Sequence, residues 1–244
     1  MGKIFWSAAP LPGKEQIPSL LAYLEKSFPR RENGPYFDRL MGNGDRCLPP
    51  RVVLARLSAL SLLPPMLVMA GIQSSVMVLS RDQNGRPHGQ TVTGNPVPFD
   101  FNLSHSDAHV ACALLVGNGR VGVDVEELVP PSRALRLIQR YCTEGEKQML
   151  AVQNDEEKTK AFTRLWTMRE AISKQDGRGN PLRFDASLVP NSVRVFCASF
   201  PHTGTHISIC APMECSLKDL VQASAFPEIS WDISDGYSIR MESE

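Results

Sequence analysis

Neither sign of charge is in excess in this 244-residue chain: 26 Lys and Arg face 26 Asp and Glu. Net charge therefore gives no pull toward nucleic acid or an anionic membrane, and any phosphate has to be held by a local cluster. The six cysteines show no CxxC and no paired spacing, so they read as reduced thiols of a cytoplasmic protein. No apolar run approaches the ~20 residues of a membrane span, because Pro64-Pro65 interrupts LSALSLLPPMLVMAGI. The opening MGKIFWSAAPLPGKEQ lacks an apolar segment of signal-peptide length and lacks the Ser or Thr of a myristoylation motif, so neither a leader nor a lipid anchor is expected. Walker A and G-x-G-x-x-G loops are missing, which removes support for ATP and dinucleotide binding. SHSD (Ser104–Asp107) contains triad residue types, but triads are spatial and no G-x-S-x-G elbow exists. His105 and His109 lack the H-E-x-x-H or nearby Cys that a zinc site would require.

What is present is enough apolar material, 42% of residues, for one large domain or two small ones. RVVLARLSALSLL reads as a helix opened by Pro49-Pro50 and ended by the next Pro pair. SSVMVLSRD reads as a strand followed by the turn QNGRP. Val110 to Val116 is uninterruptedly apolar, the mark of a strand buried on both faces. SRALRLIQRYCTEGEKQMLAV and DEEKTKAFTRLWTMREAISKQDGRG read as helices, the second ending at Gly177 and Gly179. HVACALL from His109 and HISICAP from His206 echo each other, as equivalent strands of two similar halves would. Trp6 and Trp231 are assigned to core packing by default.

VGVDVEE, Val121 to Glu127, places acids among valines. On a strand, Val121, Val123 and Val125 share one face, and Gly122, Asp124 and Glu126 the other. Asp124 and Glu126 are then roughly 7 Å apart at Cα, close enough to converge on one cation, with Gly122 leaving room for a ligand. A half-solvated strand explains the same pattern. On this reading Glu127 falls on the valine side, at the strand end, as a solvated charge. In AFTRLWTMREAISK, Ala161, Leu165, Met168 and Ile172 form a stripe that should face the core. Trp166, Glu170 and Lys174 form an i, i+4, i+8 row away from it. A solvated Glu–Lys pair is ordinary there. A large Trp beside it suggests that the face meets another domain or a ligand.

These two stretches, about forty residues apart, resemble the 4′-phosphopantetheinyl transferase family, whose signature is G-(I/V)-D-(I/V)-E followed by W-x-x-K-E-(A/S)-x-x-K. Here they read Gly122-Val123-Asp124-Val125-Glu126 and Trp166 to Lys174. FNLSHSD is similar to the family's F-N-x-S-H-S, and Asn84 to Pro87 occupies the place of its G-K-P turn. The resemblance runs from about Asn84 to Phe184. Arg169 and Arg86 depart from the usual Lys; both keep the charge, but a planar fork meets phosphate differently from a point charge. The chain length resembles the larger, monomeric, surfactin-synthetase-activating branch, and in particular its second holo-acyl-carrier-protein synthase group.

The resemblance implies an α+β fold of two similar α/β halves related by a pseudo-twofold axis, with coenzyme A between them. We set the boundary near Gly119, giving residues 1–119 and 120–244. It implies transfer of the phosphopantetheine arm of coenzyme A to a serine of an apo-carrier protein, with adenosine 3′,5′-bisphosphate released. Asp124, Glu126 and Glu170 would hold Mg²⁺ or Mn²⁺. Glu170 would also act as general base, directly or through water, and Lys174 would contact phosphate. Arg86, Ser104 and His105 would contact the nucleotide or its 3′-phosphate. Arg56 would join them, with Arg46 and Arg51 as competitors for that place. The expected partners are coenzyme A and a carrier protein, with no nucleic acid, no membrane and a monomeric state. The alternative is a non-catalytic relative that only binds coenzyme A or a carrier.

Overall fold

The computed structural model describes residues 2–42, 48–93, 97–177, 192–200, 203–223 and 231–235. Arg46 and Gly179 lie outside the described residues. The chain begins with strand β1 (Lys3–Pro10), then helices α1 (Ile17–Ser27), α2 (Arg30–Met41), α3 (Pro50–Ser61) and α4 (Leu63–Met69). Hairpin β2 (Met77–Arg81) and β3 (Pro87–Thr91) leads to β4 (Phe99–His105) and β5 (His109–Val116). The chain then repeats the order strand, helices, hairpin: β6 (Gly122–Glu126); α5 (Pro131–Tyr141), α6 (Glu144–Ala151) and α7 (Asp155–Asp176); then β7 (Val193–Ser199) and β8 (His206–Pro212). Short strands β9 (Leu220–Gln222) and β10 (Trp231–Asp235) follow.

The result is a mixed α/β fold with two four-stranded sheets, ordered β4-β5-β1-β9 and β10-β7-β8-β6. His109 and His206 each open the second strand of an antiparallel hairpin, paired near His105 and opposite Ser199 respectively. β5 lies between β4 and β1, and β8 between β7 and β6. The sheets share an apolar layer: Ile4, Trp6, Ala111 and Ala113 from one, with Val123, Val125, Phe196 and Ile209 from the other. Trp6 is buried there, edge-on to Trp231 at 5.1 Å between centroids. Cys112 and Leu114 point to the opposite side of β5, against helices α1 to α4. Both faces of β5 are therefore covered, which accounts for its unbroken apolar run. Ala171 and Ile172 of α7 cover the outer side of the second sheet, on Val193, Val195 and Cys210.

Four expectations change in detail. Pro64 and Pro65 do not end the helical run; they occupy the first turn of α4, where a missing N–H has no partner to lose. Pro50–Met69 is consequently long and apolar enough to cross a membrane by length and composition, with mean hydropathy 1.9, yet 61% of it is buried inside the protein as core. The helical stretch after Ser132 divides at Cys142, because Thr143 caps α6 and exchanges hydrogen bonds with Glu146. Finally, α7 buries Thr163, Thr167, Arg169 and Ser173 beyond its expected stripe, because it packs between β6, β8, α5 and α6. It ends, as its Gly signal suggests, at Gly177 with φ 85°.

Candidate active site

β6 is an edge strand, paired on one side with β8 only. Its other edge faces β4, whose alternate side chains take the place of a partner backbone. The Val121 N–H donates to Asp100 Oδ2 at 2.8 Å, the Val123 N–H to Asn102 Oδ1 at 3.0 Å, and the Val125 N–H to Ser104 Oγ at 3.3 Å. The period-two polar pattern of FDFNLSH thus joins the two sheets and satisfies an edge that would otherwise be bare. Val121, Val123 and Val125 point into the shared core, and Gly122, Asp124 and Glu126 face α7, as alternation requires. The space at Gly122 is not for a ligand, contrary to expectation: a Cβ there would lie 1.9 Å from the carbonyl oxygen of Ala171. Glycine is what lets α7 approach β6.

That approach brings five predicted residues together: Asp124, Glu126, Glu170, Lys174 and Ser104. Lys174 Nζ donates to Asp124 Oδ1 at 2.6 Å and to Ser104 Oγ at 3.0 Å, and Ser104 Oγ donates to the same Asp124 oxygen at 2.8 Å. Lys174, expected on phosphate, here neutralises a buried carboxylate. Burial pushes its pKa down, but Asp124 and Glu170 outweigh that and hold it above the ordinary lysine value. Burial raises Asp124 despite Lys174. Burial and the Asp124 charge push Glu126 to about 8 and Glu170 to about 7. These shifts describe carboxylates crowded together with too little positive charge.

Asp124 Oδ2 is buried and has no hydrogen-bond partner among the described residues. An orphaned carboxylate oxygen and two further acids make an oxygen donor set that fits a hard divalent cation. As the side chains stand, no three His, Cys, Asp or Glu residues among those described already form a metal cluster. The residues that would hold the ion are neighbours that still have to close on it.

Glu127 corrects the sequence reading. It accepts from Ser106 Oγ at 2.6 Å, from the N–H groups of Asp107 and Ala108, and lies 2.9 Å from His109 Nδ1. Burial pushes its pKa up, but these hydrogen bonds prevail and hold it below the ordinary range. It is a latch that fastens the β4–β5 turn, and with it His105, to the end of β6. Arg169 also turns inward: its Nη2 reaches both oxygens of Glu146, at 2.6 and 2.5 Å, and its Nη1 the Tyr141 carbonyl, tying α7 to the two preceding helices. Arg86, expected at the nucleotide, donates to Asp100 Oδ2, the carbonyls of Phe101 and Val121, and the carbonyl of Lys174.

Beside the acids a cavity of about 580 Å³ opens between α3 and the β4–β5 turn on one side and the β6–α5 connection on the other. Arg51, His105, Glu126, Arg133, Tyr141 and Trp166 line it. Trp166 does meet an open space, and it packs there on Tyr141 at 6.0 Å. Burial and the cations Lys174, Arg56 and Arg51 hold His105 below its ordinary pKa. Of the competing N-terminal arginines, Arg51 lines the cavity, with its guanidinium on Asp107 at 2.9 Å. Arg56, further along α3, is lowered by burial and by Arg81. Sequence reasoning missed Asp100, Asn102 and Arg133. The alternation of FDFNLSH was a signal for the first two, but their partner strand was not.

Residues 120–219 match the 4′-phosphopantetheinyl transferase superfamily. The chain is 32% identical over 143 residues to 4′-phosphopantetheinyl transferase AcpT of Salmonella typhimurium, covering 52% of this chain and 74% of that one. It is 35% identical over 89 residues to 4′-phosphopantetheinyl transferase Sfp of Bacillus subtilis, covering 36% and 38%. With 4′-phosphopantetheinyl transferase HetI of Nostoc sp. it shares 39% identity over 79 residues, 32% and 33% of the two chains. The chain thus spans less than half the length of Sfp and HetI. It belongs to the 4′-phosphopantetheinyl transferase superfamily.

Proposed function

We propose that this protein transfers the 4′-phosphopantetheine group of coenzyme A to a serine of an apo-carrier protein, releasing adenosine 3′,5′-bisphosphate with Mg²⁺ or Mn²⁺ as cofactor. The observation that carries this reading is Asp124, buried with one free carboxylate oxygen, beside Glu126, Glu170 and Lys174 at the rim of a cavity. A divalent ion bound there would neutralise charge on the pyrophosphate. Asp124, Glu126 and Glu170 are the residues that would hold it. Glu170 accepts the proton of the carrier serine hydroxyl, directly or through water. Lys174, which bonds Asp124 at 2.6 Å, would contact phosphate once Asp124 held an ion. Ser104, His105 and Arg56 contact the nucleotide end, and Arg51 and Arg133 add positive charge around the cavity.

The repeated order of strand, helices and hairpin supports halves 1–119 and 120–244 related by a pseudo-twofold axis, with coenzyme A between them. The balanced charge, and five described cysteines that form no disulfide with one another, support a cytoplasmic protein without nucleic-acid or membrane partners; a monomer is part of the same proposal. The test is incubation with coenzyme A, Mg²⁺ and a panel of apo-acyl, aryl and peptidyl carriers, read by intact mass. Addition of one phosphopantetheine to at least one carrier is expected; no addition to any of them sinks the reading.

A further inference from the structure

Arg86 stands where a nucleotide contact was expected, yet its guanidinium is spent inside the protein. It reaches α7 at the Lys174 carbonyl, β4 at Asp100 and the Phe101 carbonyl, and β6 at the Val121 carbonyl, 2.7 Å away. Its side chain is 8% exposed and that of Asp100 16%. Asp100 Oδ2 also accepts the Val121 N–H, so one ion pair holds both sides of the residue that precedes Gly122. The turn carrying Arg86 is itself fastened to the end of α7, where Asn84 Nδ2 donates to the Gly177 carbonyl at 3.0 Å. The last carbonyls of a helix lack intrahelical donors and carry partial negative charge, so a cation there is favourable. A guanidinium offers five N–H donors in a fixed planar fork, against three on the single nitrogen of a lysine, which suits four acceptors spread over three elements. That explains Arg where the family pattern has Lys.

We propose that Arg86 and Asp100 are positioning residues for the transfer reaction, a clamp that fixes Lys174 and the Asp124 strand against each other without touching coenzyme A. The proposal rests on the transferase reading. It is tested with Arg86→Lys, Asp100→Asn and the double variant of the full chain. Steady-state kinetics are run with coenzyme A, and backbone amide hydrogen exchange without substrates. Both single variants should lose about 10- to 100-fold in kcat, with KM for coenzyme A within about twofold of the parent. The double variant should fall within about threefold of the worse single, because both changes break one unit. The Val121 amide should exchange at least ~10-fold faster in Asp100→Asn, with β8 amides unchanged. A KM raised about tenfold at unchanged kcat in Arg86→Lys, with Asp100→Asn like the parent, would make Arg86 a ligand contact and overturn the proposal. So would unchanged kcat in both variants with only a lower melting point, or an unaltered Val121 amide. A parent that modifies no carrier would remove the transferase reading and the catalytic half of the proposal. Faster Val121 exchange in that case would still establish the clamp.

Discussion

Glu126 and Glu170 are carboxylates held where carboxylates are unfavourable, pushed by burial and by the Asp124 charge to about 8 and about 7. Each binds its proton more tightly in the folded chain than in the unfolded one. Their contribution to stability is therefore full below the ordinary glutamate pKa and is lost as pH rises through the folded values. In metal-free buffer these two groups make the melting temperature fall between about pH 5 and about pH 8, against the opposite slope of the buried His105 and His206 below about pH 6.5, so that of Glu126→Gln should fall less or rise more than the parent's over that range; identical slopes in the two proteins would refute the assignment. Glu170→Gln should lower carrier modification by roughly 10²- to 10⁴-fold, the usual worth of a general base. Its melting temperature at pH 8 should equal or exceed the parent's, because the change removes a crowded charge; unchanged turnover would take Glu170 out of the mechanism. Asp124, Glu126, Glu170 and Lys174 were legible in the sequence because strand and helix periods put each pair on one face. Glu127 was not. The alternation placed it on the valine side, but its partners, the Ser106 hydroxyl and the Asp107 and Ala108 amides, belong to a turn that only the folded chain brings near.

Among the elements, the contact of β6 with α7 decides the geometry of the acids, and Gly122 decides that contact. Any Cβ at that position meets the Ala171 carbonyl at 1.9 Å and the Gln175 amide nitrogen at 2.7 Å, both backbone atoms that cannot swing aside. Gly122→Ala should therefore cost at least ~1–3 kcal/mol, the range of overpacked cores, and about 2–4 °C of melting temperature for each kcal/mol. It should also displace Lys174 from Asp124 and lower kcat. A fully active, equally stable alanine variant, checked by calorimetry and turnover, would show that the helix has slack. The sequence suggested the opposite role for this glycine, room for a ligand, since a missing side chain looks the same whichever neighbour needs the space. The break between α5 and α6 was missed although its signal is in the sequence: Thr143 followed three residues later by Glu146 is a helix-start signature. Arg169 could not be placed from a single chain, because a buried arginine and a solvated one differ only in whether an acid such as Glu146 lies within reach.

For the whole molecule, the two halves suggested by the internal echo do not divide the structure into two separate cores. The apolar layer between the sheets draws Ile4, Trp6 and Ala113 from one half and Val123, Phe196 and Ile209 from the other. The free edge of β6 is satisfied by side chains of β4, so separating the halves would strand three N–H groups of a buried strand. The chain also returns: β9 pairs in parallel with β1, Ile4 beside Leu220, and adds the late residues Leu220 to Gln222 to the first sheet. Exposing the faces of both sheets together with an unpaired edge has a cost that neither half can recover alone. Heating or urea should therefore give one cooperative transition, with calorimetric and van't Hoff enthalpies in agreement and the near- and far-ultraviolet circular dichroism changing together. Residues 1–119 and 120–244, made as separate chains, should each lack a cooperative melt and regain one when mixed. Two resolved transitions in the intact chain, or an independent melt from either fragment, would show that the halves are autonomous. The cavity between them would then be a cleft that opens and closes, rather than one whose walls are set by the shared core.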